Sequence, residues 1–219
     1  MLSDASGRYQ IATEASGIQI LDFDKNGYTP IQRRVTTRFN QINAVAKITM
    51  LQVDSQSTHI NLNTSDTQTH TSSIIDDERG RRSATIIFNN VHSATVKNSN
   101  GSSYTLSSLN VRATEFTTPA SMPATLPPTS AFTYCIDVTV DGVDKDAMVH
   151  FDNNVSFFID NFLDAPVGTV VPVGYYDRTK AQWIAMPNGI IVRLLDNNSD
   201  GTIDGVDADD DGVACPGPV

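Results

Sequence analysis

The chain has 219 residues, enough for one large domain or two small ones with a buried core. Fifteen Lys and Arg residues against 25 Asp and Glu residues give a formal net charge of -10. This balance disfavours binding to nucleic acid or to an anionic membrane surface, because phosphate groups attract a basic face. No apolar run is long enough to cross a bilayer, so we expect no membrane insertion.

The pattern of residues predicts an all-β chain built as a β-sandwich. Thr, Val and Ile recur in short runs bounded by Asn, Gly, Asp and Pro, which is typical of strands and turns. No stretch of twelve residues holds an apolar stripe with helical spacing. The predicted strands cover residues 18–23, 31–39, 44–53, 59–62, 83–88, 93–97, 109–115, 132–140, 147–151, 155–159, 169–176, 181–185 and 190–195.

Three Asn-Gly pairs predict tight hairpin turns, because both central residues of a type I′ turn need positive φ. They are Asn26-Gly27, Asn100-Gly101 and Asn188-Gly189. The third pair has an apolar run on each side and predicts a hairpin over residues 182–195. Residues 63–82 are rich in Ser, Thr and charge, and we expect them to form a long exposed loop.

A segment with four prolines over residues 117–129 divides the chain. Such a segment is extended and cannot join the interior of a sheet. It predicts either a boundary between two β domains or a connection across the end of one sandwich. The division is a β-sandwich-like domain over 1–117, a second β domain or a continuation over 118–194, and a tail over 195–219.

The tail holds most of the net charge. From residue 194 onward there are seven acids and no base, which leaves 18 acids against 15 bases in the rest of the chain. The seven acids are Asp196, Asp200, Asp204, Asp207, Asp209, Asp210 and Asp211.

The spacing of these acids predicts a calcium-binding loop. Calcium loops place hard oxygen ligands at alternate positions around a glycine turn. Residues 196–207 match this pattern, with Gly201 at the turn position. The predicted ligands are Asp196, Asn198, Asp200, the Thr202 carbonyl, Asp204 and Asp207. The alternative is an acidic disordered terminus.

The pattern restarts at Asp207, with Asp209, Asp211 and Gly212 at the third, fifth and sixth positions. The ninth and twelfth positions carry Cys215 and Pro218, which have no hard oxygen in their side chains, so this second loop is incomplete. The overlapping D-x-D-x-D-G spacing resembles thrombospondin type 3 repeats, which bind calcium and mostly lack flanking helices. The resemblance implies Ca²⁺ as the cofactor, with Asp209 and Asp211 as further ligands.

A longer stretch, from about residue 83 to 212, resembles the region upstream of the YD repeats in large bacterial RHS/YD-repeat surface proteins. The segments that carry the resemblance are 109–116, 122–134, 149–151, 161–162, 166–178, Trp183 and 187–189. The resemblance implies a secreted or surface-displayed protein with further domains, and no known catalytic activity for this region. The first eighty residues match less clearly.

Two other motifs have simpler explanations. His150-Phe151-Asp152 is similar to the self-cleavage motif of ZU5 and UPA β-domains, but it lacks their nucleophilic Ser, so we expect no cleavage. The D-x-D-x-N-G run over 22–27 is followed by Pro30 and Arg33 where ligands are needed, and a hairpin explains it. The two cysteines, Cys135 and Cys215, either pair and tie the tail to the body or stay as free thiols.

These observations predict a non-enzymatic structural or adhesive module of a longer protein, located outside the cell or on its surface. The expected partners are an extracellular protein or polysaccharide and the further domains of the same chain. Two alternatives stay open. One is a carbohydrate-binding module that uses Tyr175, Tyr176 and Trp183. The other is a self-processing or hydrolytic domain, which would need carboxylates converging in a cleft.

Overall fold

The computed structural model describes residues 3–14, 16–128, 130 and 132–215. Within these residues the predicted all-β class is confirmed, and the single helical element is a 3-10 turn at Pro119–Ser121. No helix in this part is long and apolar enough to span a membrane. The strands are β1 (Gly17–Phe23), β2 (Ile31–Thr37), β3 (Thr58–Asn61), β4 (Gln68–Thr71), β5 (Ile75–Asp77), β6 (Gly80–Arg82), β7 (Ala84–Phe88), β8 (Ala94–Lys97), β9 (Ser103–Leu106), β10 (Ser108–Glu115), β11 (Ile136–Val140), β12 (Met148–Phe151), β13 (Val155–Ile159), β14 (Val170–Asp177), β15 (Gln182–Ile190), β16 (Arg193–Leu195) and β17 (Gly205–Asp207).

One hydrophobic core joins three antiparallel sheets of three strands each, with the orders β11-β10-β3, β13-β7-β4 and β12-β8-β9. Alternate residues of the central strands face this core, as expected for sheets with one buried face. The buried core residues are Ile60, Leu62, Ile86, Phe88, Val91, Ala94, Leu109, Val111 and Ala113. Phe88 also packs edge-on against Phe151, with ring centroids 5.6 Å apart. The sandwich therefore rests on strands from both halves of the chain.

The Pro-rich segment connects two strands that are neighbours in one sheet. β10 pairs with β11 directly across it, from Val111 opposite Val140 to Glu115 opposite Ile136. β7 pairs with β13 and β8 pairs with β12 in the same way. These pairings favour a connection across the end of one sandwich over a boundary between two domains. The domain limits at residues 117 and 194 stay predictions.

The predicted exposed loop over 63–82 is wrong. It contains the strands β4, β5 and β6, and His70, Ser72 and Arg82 within it are buried. These short strands are polar because their buried side chains form hydrogen bonds and ion pairs, so hydrophobic alternation does not reveal them. The predicted strand over 44–53 is also wrong. In the described chain its only ladder contact is one bridge between Gln52 and Tyr28, and β-branched residues without a pairing partner do not form a strand.

The hairpin predicted at Asn100-Gly101 is present, but the predicted type I′ turn is wrong, because Asn100 does not have positive φ and the connection runs from residue 98 to 102. Gly101 has φ +87° and lies in the turn between β8 and β9, where its N–H donates to the Asn98 carbonyl at 3.0 Å. Asn26-Gly27 also lies in a connection between two paired strands, but that connection runs from residue 24 to 30 and is longer than a two-residue turn.

The third turn prediction, at Asn188-Gly189, is wrong. Both residues lie inside β15, which pairs with β14 rather than with the segment that follows. The register shifts between Val171 and Val173, so β15 has an extra residue there. This bulge accommodates Pro187, whose ring nitrogen cannot donate a ladder hydrogen bond.

Arg82 is the most unusual core residue, because its side chain is completely buried. Its guanidinium contacts Asp77 at 2.7 Å and Glu115 at 2.5 Å, and its Nη1 also donates to the Gly80 carbonyl at 2.9 Å. The Phe162 ring covers it with its centroid 5.0 Å from Cζ. The hydrogen bonds from Arg82 lower the pKa of Asp77 to about 2. The contacts of Arg82 with Asp77 and Glu115 therefore join β5, β6 and β10.

We predict that Arg82→Met lowers the free energy of unfolding by about 3–5 kcal/mol, because it leaves the buried Glu115 carboxylate without a partner. Urea denaturation measures the loss. Arg81→Met removes the same charge from the exposed neighbouring position and should change stability by less than about 0.5 kcal/mol. Adding Glu115→Met to Arg82→Met should recover part of the loss, and a double variant as unstable as the single one would contradict this explanation.

We predict that the folded chain loses stability on acidification because of the buried His70. It is fully buried, with Nδ1 3.0 Å from the Thr58 hydroxyl and no partner for Nε2 in the described chain. Burial lowers its pKa, so below about pH 6.5 the unfolded chain takes up a proton that the folded chain refuses. Unfolding free energy should fall from pH 7.5 to 5.5 by at most about 1.4 kcal/mol per pH unit from this group. His70→Gln should flatten the dependence and exposed His92→Gln should not; equal slopes would refute the assignment.

Candidate metal centre

A small hairpin positions the acidic tail. β16 pairs with β17, with Leu195 opposite Gly205, and the Asp204 N–H donates to the Leu195 carbonyl at 2.7 Å. The first predicted calcium loop is therefore the connection of this hairpin. Gly205 is required at its closing pair, since a Cβ there would lie 2.6 Å from the Ala214 Cβ.

The two predicted loops have the same backbone conformation, offset by eleven residues. Ser199 and Asp210, at the fourth position of each loop, have φ +61° and +65°. Gly201 and Gly212, at the sixth position, have φ +85° and +78°. Residues other than Gly rarely adopt positive φ, so its recurrence at two matched positions indicates a repeated loop design.

The hydrogen bonds of the loops repeat as well. The first aspartate of each loop accepts the N–H of the glycine at the sixth position at 2.9 Å, Gly201 to Asp196 and Gly212 to Asp207. The aspartate at the fifth position accepts the N–H two residues later, at 2.7 Å for Asp200 and 2.8 Å in the second loop. Each turn is thus held by its own carboxylates.

The structure brings three acids of the second loop together. One carboxylate oxygen from each of Asp207, Asp209 and Asp211 lies within 4.8 Å of the others. Asp207 is inaccessible to solvent, whereas the other two are exposed. These three carboxylates can hold a metal ion, and they project from the loop that the sequence indicated to be incomplete.

Asp207 is the most constrained member of the cluster. Its carboxylate accepts the N–H groups of Asp209, Asp210 and Gly212, and Arg193 Nη1 lies 3.7 Å from its Oδ2. Burial alone would raise the pKa of Asp207, but these N–H groups and Arg193 lower it. Asp207 therefore stays ionised, as a cation ligand must be. Arg193 also pairs with Asp210, whose side chain lies outside the cluster.

The first loop is arranged differently. Among the described residues, its acids do not form a cluster of three carboxylates at this distance. Its third position is Asn198, whose side chain donates to Asp200 at 3.0 Å and accepts the Asp200 N–H at 3.0 Å. Asp204 accepts the Asn197 N–H at 2.7 Å. The first-loop ligand set, including the Thr202 carbonyl, stays a prediction, while Pro218 lies outside the described residues.

The two cysteines are free thiols, so the alternative of a disulfide between tail and body is not realised. Cys215 instead supports the second loop: its N–H donates to the Val206 carbonyl at 2.8 Å, and its sulfur accepts the Ala208 N–H at 3.3 Å. Burial, aided by the charge of Asp137, raises the pKa of the Cys135 thiol to about 12.

The other motifs have structural roles. His150 lies in β12 opposite Thr95, and the Asp152 carboxylate accepts the His92 N–H at 3.0 Å. Asp22, the first residue of the D-x-D-x-N-G run, contacts Arg178 at 2.7 Å and accepts a hydrogen bond from Gln32. Its carboxylate is engaged by these groups.

The three aromatic residues of the carbohydrate alternative lie on the β14–β15 hairpin. Tyr176 and Trp183 are a cross-strand pair with ring centroids 5.3 Å apart and an interplanar angle of 55°. Tyr175 is 47% exposed and lies opposite Ile184. Sequence reasoning did not identify Asp137 and Arg178, which lie beside this pair, because no spacing rule links β11 to the β14–β15 hairpin.

Comparisons of the chain with protein-family profiles, with curated proteins and with solved structures gave no match. The resemblances to the RHS/YD-repeat region and to thrombospondin type 3 repeats therefore stay predictions.

We predict that Asp209→Asn and Asp211→Asn each weaken Ca²⁺ binding by roughly tenfold or more, because each removes a charged oxygen ligand. Calorimetric titration with CaCl₂ measures the affinity. Asp210→Asn is the matched control, since it removes the same charge from the same loop outside the cluster. Asp200→Ala tests the first loop separately. Equal weakening by Asp210→Asn would mean that net charge, and not the cluster, attracts the ion.

Proposed function

We propose that this chain is a non-enzymatic structural or adhesive module of a larger secreted or cell-surface bacterial protein, and that calcium stabilises its acidic C-terminal tail. The observation that carries the proposal is the gathering of Asp207, Asp209 and Asp211 within 4.8 Å, on a loop whose backbone repeats that of the loop before it.

The donor set favours calcium over other ions. Ca²⁺ takes about six to eight oxygen ligands and tolerates irregular geometry. Zn²⁺ prefers nitrogen and sulfur ligands, whereas the tail has no histidine and its one cysteine, Cys215, is not a member of the carboxylate cluster. Asp207, Asp209 and Asp211 would supply the carboxylates, and the first loop would use Asp196, Asp200 and Asp204 with the Asn198 amide. The ion would supply positive charge and fixed geometry, with no role in a reaction.

The tail has little else to hold it together. Of its few apolar residues, Ile203 is 49% exposed and Val213 is 64% exposed. Seven carboxylates lie between Asp196 and Asp211. At physiological salt such charges repel one another over a distance of about 8 Å. Backbone ordering costs about 1–2 kcal/mol per residue, which so little burial cannot offset. A bound cation would remove the repulsion and replace the missing core.

A surface location fits this dependence on calcium. Calcium sites in extracellular modules bind with dissociation constants of about 10⁻⁴–10⁻³ M, so a loop with few protein ligands is occupied only where calcium is abundant. A calcium-stiffened tail would set the angle at which the next domain follows. The expected partners are those further domains and an extracellular protein or polysaccharide.

Limited proteolysis with and without a chelator tests the proposal. We expect chelation to open cleavage sites after Leu195 and to leave a resistant fragment of roughly 21 kDa, at about 0.11 kDa per residue removed. Adding back excess Ca²⁺ should restore protection. Identical digestion with and without chelator would refute calcium stabilisation. Digestion of the whole chain on chelation would mean that calcium holds the body as well, contrary to the separate core described above.

A further inference from the structure

A cavity of about 220 Å³ lies beside the β14–β15 hairpin. β11 forms one wall and the hairpin forms another, and Pro30 and Pro123 contribute from the adjoining loops. Its apolar lining includes Phe116 and Ile136. The cavity therefore lies where the Pro-rich segment, the β1–β2 connection and the sandwich meet.

Two charged side chains that line this cavity have unused polar atoms. Asp137 Oδ2 and Arg178 Nη1 are both buried, and neither has a hydrogen-bond partner within the part of the chain that the structure describes. Burial raises the pKa of Asp137, and the charge of Arg178 opposes this, so the two groups interact electrostatically. Buried polar atoms without partners are rare in folded proteins and require an explanation.

The remaining nitrogens of Arg178 are held by the protein. Nη2 donates to Asp22 at 2.7 Å, and Nε donates to Asp146 at 3.4 Å. These contacts fix the guanidinium and leave Nη1 without a partner on a side chain that lines the cavity. An anchored donor with a free N–H is characteristic of a preformed ligand site.

The aromatic pair at the cavity has the opposite property, because its polar atoms are already used. The Tyr176 hydroxyl donates to the Gln32 side chain at 2.8 Å, and Trp183 Nε1 donates to the Thr125 carbonyl at 3.1 Å. Both rings are thereby held in place, and they line the cavity with apolar surface.

These features define the chemistry of the ligand. It must offer a donor to Asp137 and an acceptor to Arg178, and it must place an apolar face on the aromatic pair. Asp137 and Arg178 carry opposite formal charges, so the pair as a whole favours neither an anion nor a cation. A zwitterionic amino acid would bury an ammonium group, which needs three acceptors where one unused carboxylate oxygen is available. A neutral ring with neighbouring hydroxyl groups satisfies all three requirements.

We propose that this cavity binds one neutral sugar ring, with Asp137 and Arg178 bonded to its hydroxyl groups and Tyr176 and Trp183 packed on its C–H face. The volume lies below the range of about 300–1,000 Å³ typical of drug-sized ligands, so the site takes a single ring. The ring is either a free monosaccharide or the terminal unit of a glycan. This proposal goes beyond the calcium-stabilised module and shares no residue with it.

The single tryptophan of the chain, Trp183, reports directly on the cavity. Methyl glycosides of glucose, galactose and mannose are titrated into the full chain, and tryptophan fluorescence and calorimetry are recorded. We expect a saturable response to at least one of them, and none to alanine or glucuronate. No response to any neutral sugar, or a response to the charged or zwitterionic probes alone, would overturn the proposal. Oligosaccharides of the responding sugar should bind equally well if the site takes a terminal unit, and worse if it takes the free monosaccharide.

Variants test the named residues. Asp137→Asn should weaken binding by about tenfold or more, because it replaces a carboxyl oxygen with an amide nitrogen that cannot accept a hydrogen bond, whereas Asp76→Asn, an exposed change outside the cavity, should not. Cys135→Leu places a larger side chain in the cavity wall and should abolish binding with the circular dichroism spectrum retained. If Asp137→Asn does not fold, the Cys135→Leu variant tests whether the sugar binds in this cavity. Sugar binding that survives Cys135→Leu in a folded protein would place the site elsewhere. All titrations are repeated with chelator, since failure of the calcium proposal leaves this site unaffected.

Discussion

A buried arginine is tolerated only if every charge around it is paired, and this constraint organises the centre of the molecule. Arg82 meets it by contacting Asp77 and Glu115, which places β5 and β6 against the end of β10. Its neighbour Arg79 donates to the carbonyls of Thr117, where the Pro-rich segment begins, and of Thr133, just after it ends. The two arginines together thus hold the point where the chain leaves β10 and the point where it returns.

The same constraint shapes the cavity. Beyond Glu115, the Phe116 N–H donates to the Cys135 carbonyl at 2.8 Å, and both residues line the cavity wall. The Pro-rich segment is fastened from the other side by Arg33, which donates to the carbonyls of Ala120 and Met122. A segment that cannot join a sheet is therefore held by side chains, and its Pro123 lines the cavity beside the β14–β15 hairpin.

The negative charges of the tail are compensated differently from those of the body. In the body, carboxylates such as Asp77 and Asp141 are paired with arginines. The tail has seven acids and no base of its own. Arg193, just before it, contacts Asp207 and Asp210, and the carboxylates of both loops accept backbone N–H groups of their own loops. This arrangement leaves a net negative charge that a bound cation can neutralise. The two proposals together describe a sandwich that binds a sugar and a tail that calcium stiffens. A stiff tail would keep the sugar-binding face of such a module in a fixed orientation.

Local patterns were reliable wherever one face of a strand packs on the core. The segment around Val111 alternates in hydrophobicity, the segment around Ile86 is rich in β-branched residues, and both form strands close to their predicted limits. The hairpin at Asn100-Gly101 was predictable because Gly101 adopts positive φ at little cost, although the turn type was not, since the connection spans residues 98–102. Predictions failed where the decisive contact is distant in sequence. Residues 44–53 have strand composition but lack a partner strand, and Asn188-Gly189 lies opposite β14, which leaves no room for a turn.

The sequence by itself determined the all-β class, the acidity of the tail and the eleven-residue spacing of its loops, because these depend on composition and on neighbours along the chain. The tertiary structure decided that Arg82 is buried, that Asp207, Asp209 and Asp211 meet, and which side chains line the cavity. Asp137 and Arg178 are 41 residues apart in the chain, and only the packing of the β14–β15 hairpin beside β11 brings them to one cavity. Such encounters depend on the pairing of whole strands, which no local spacing encodes.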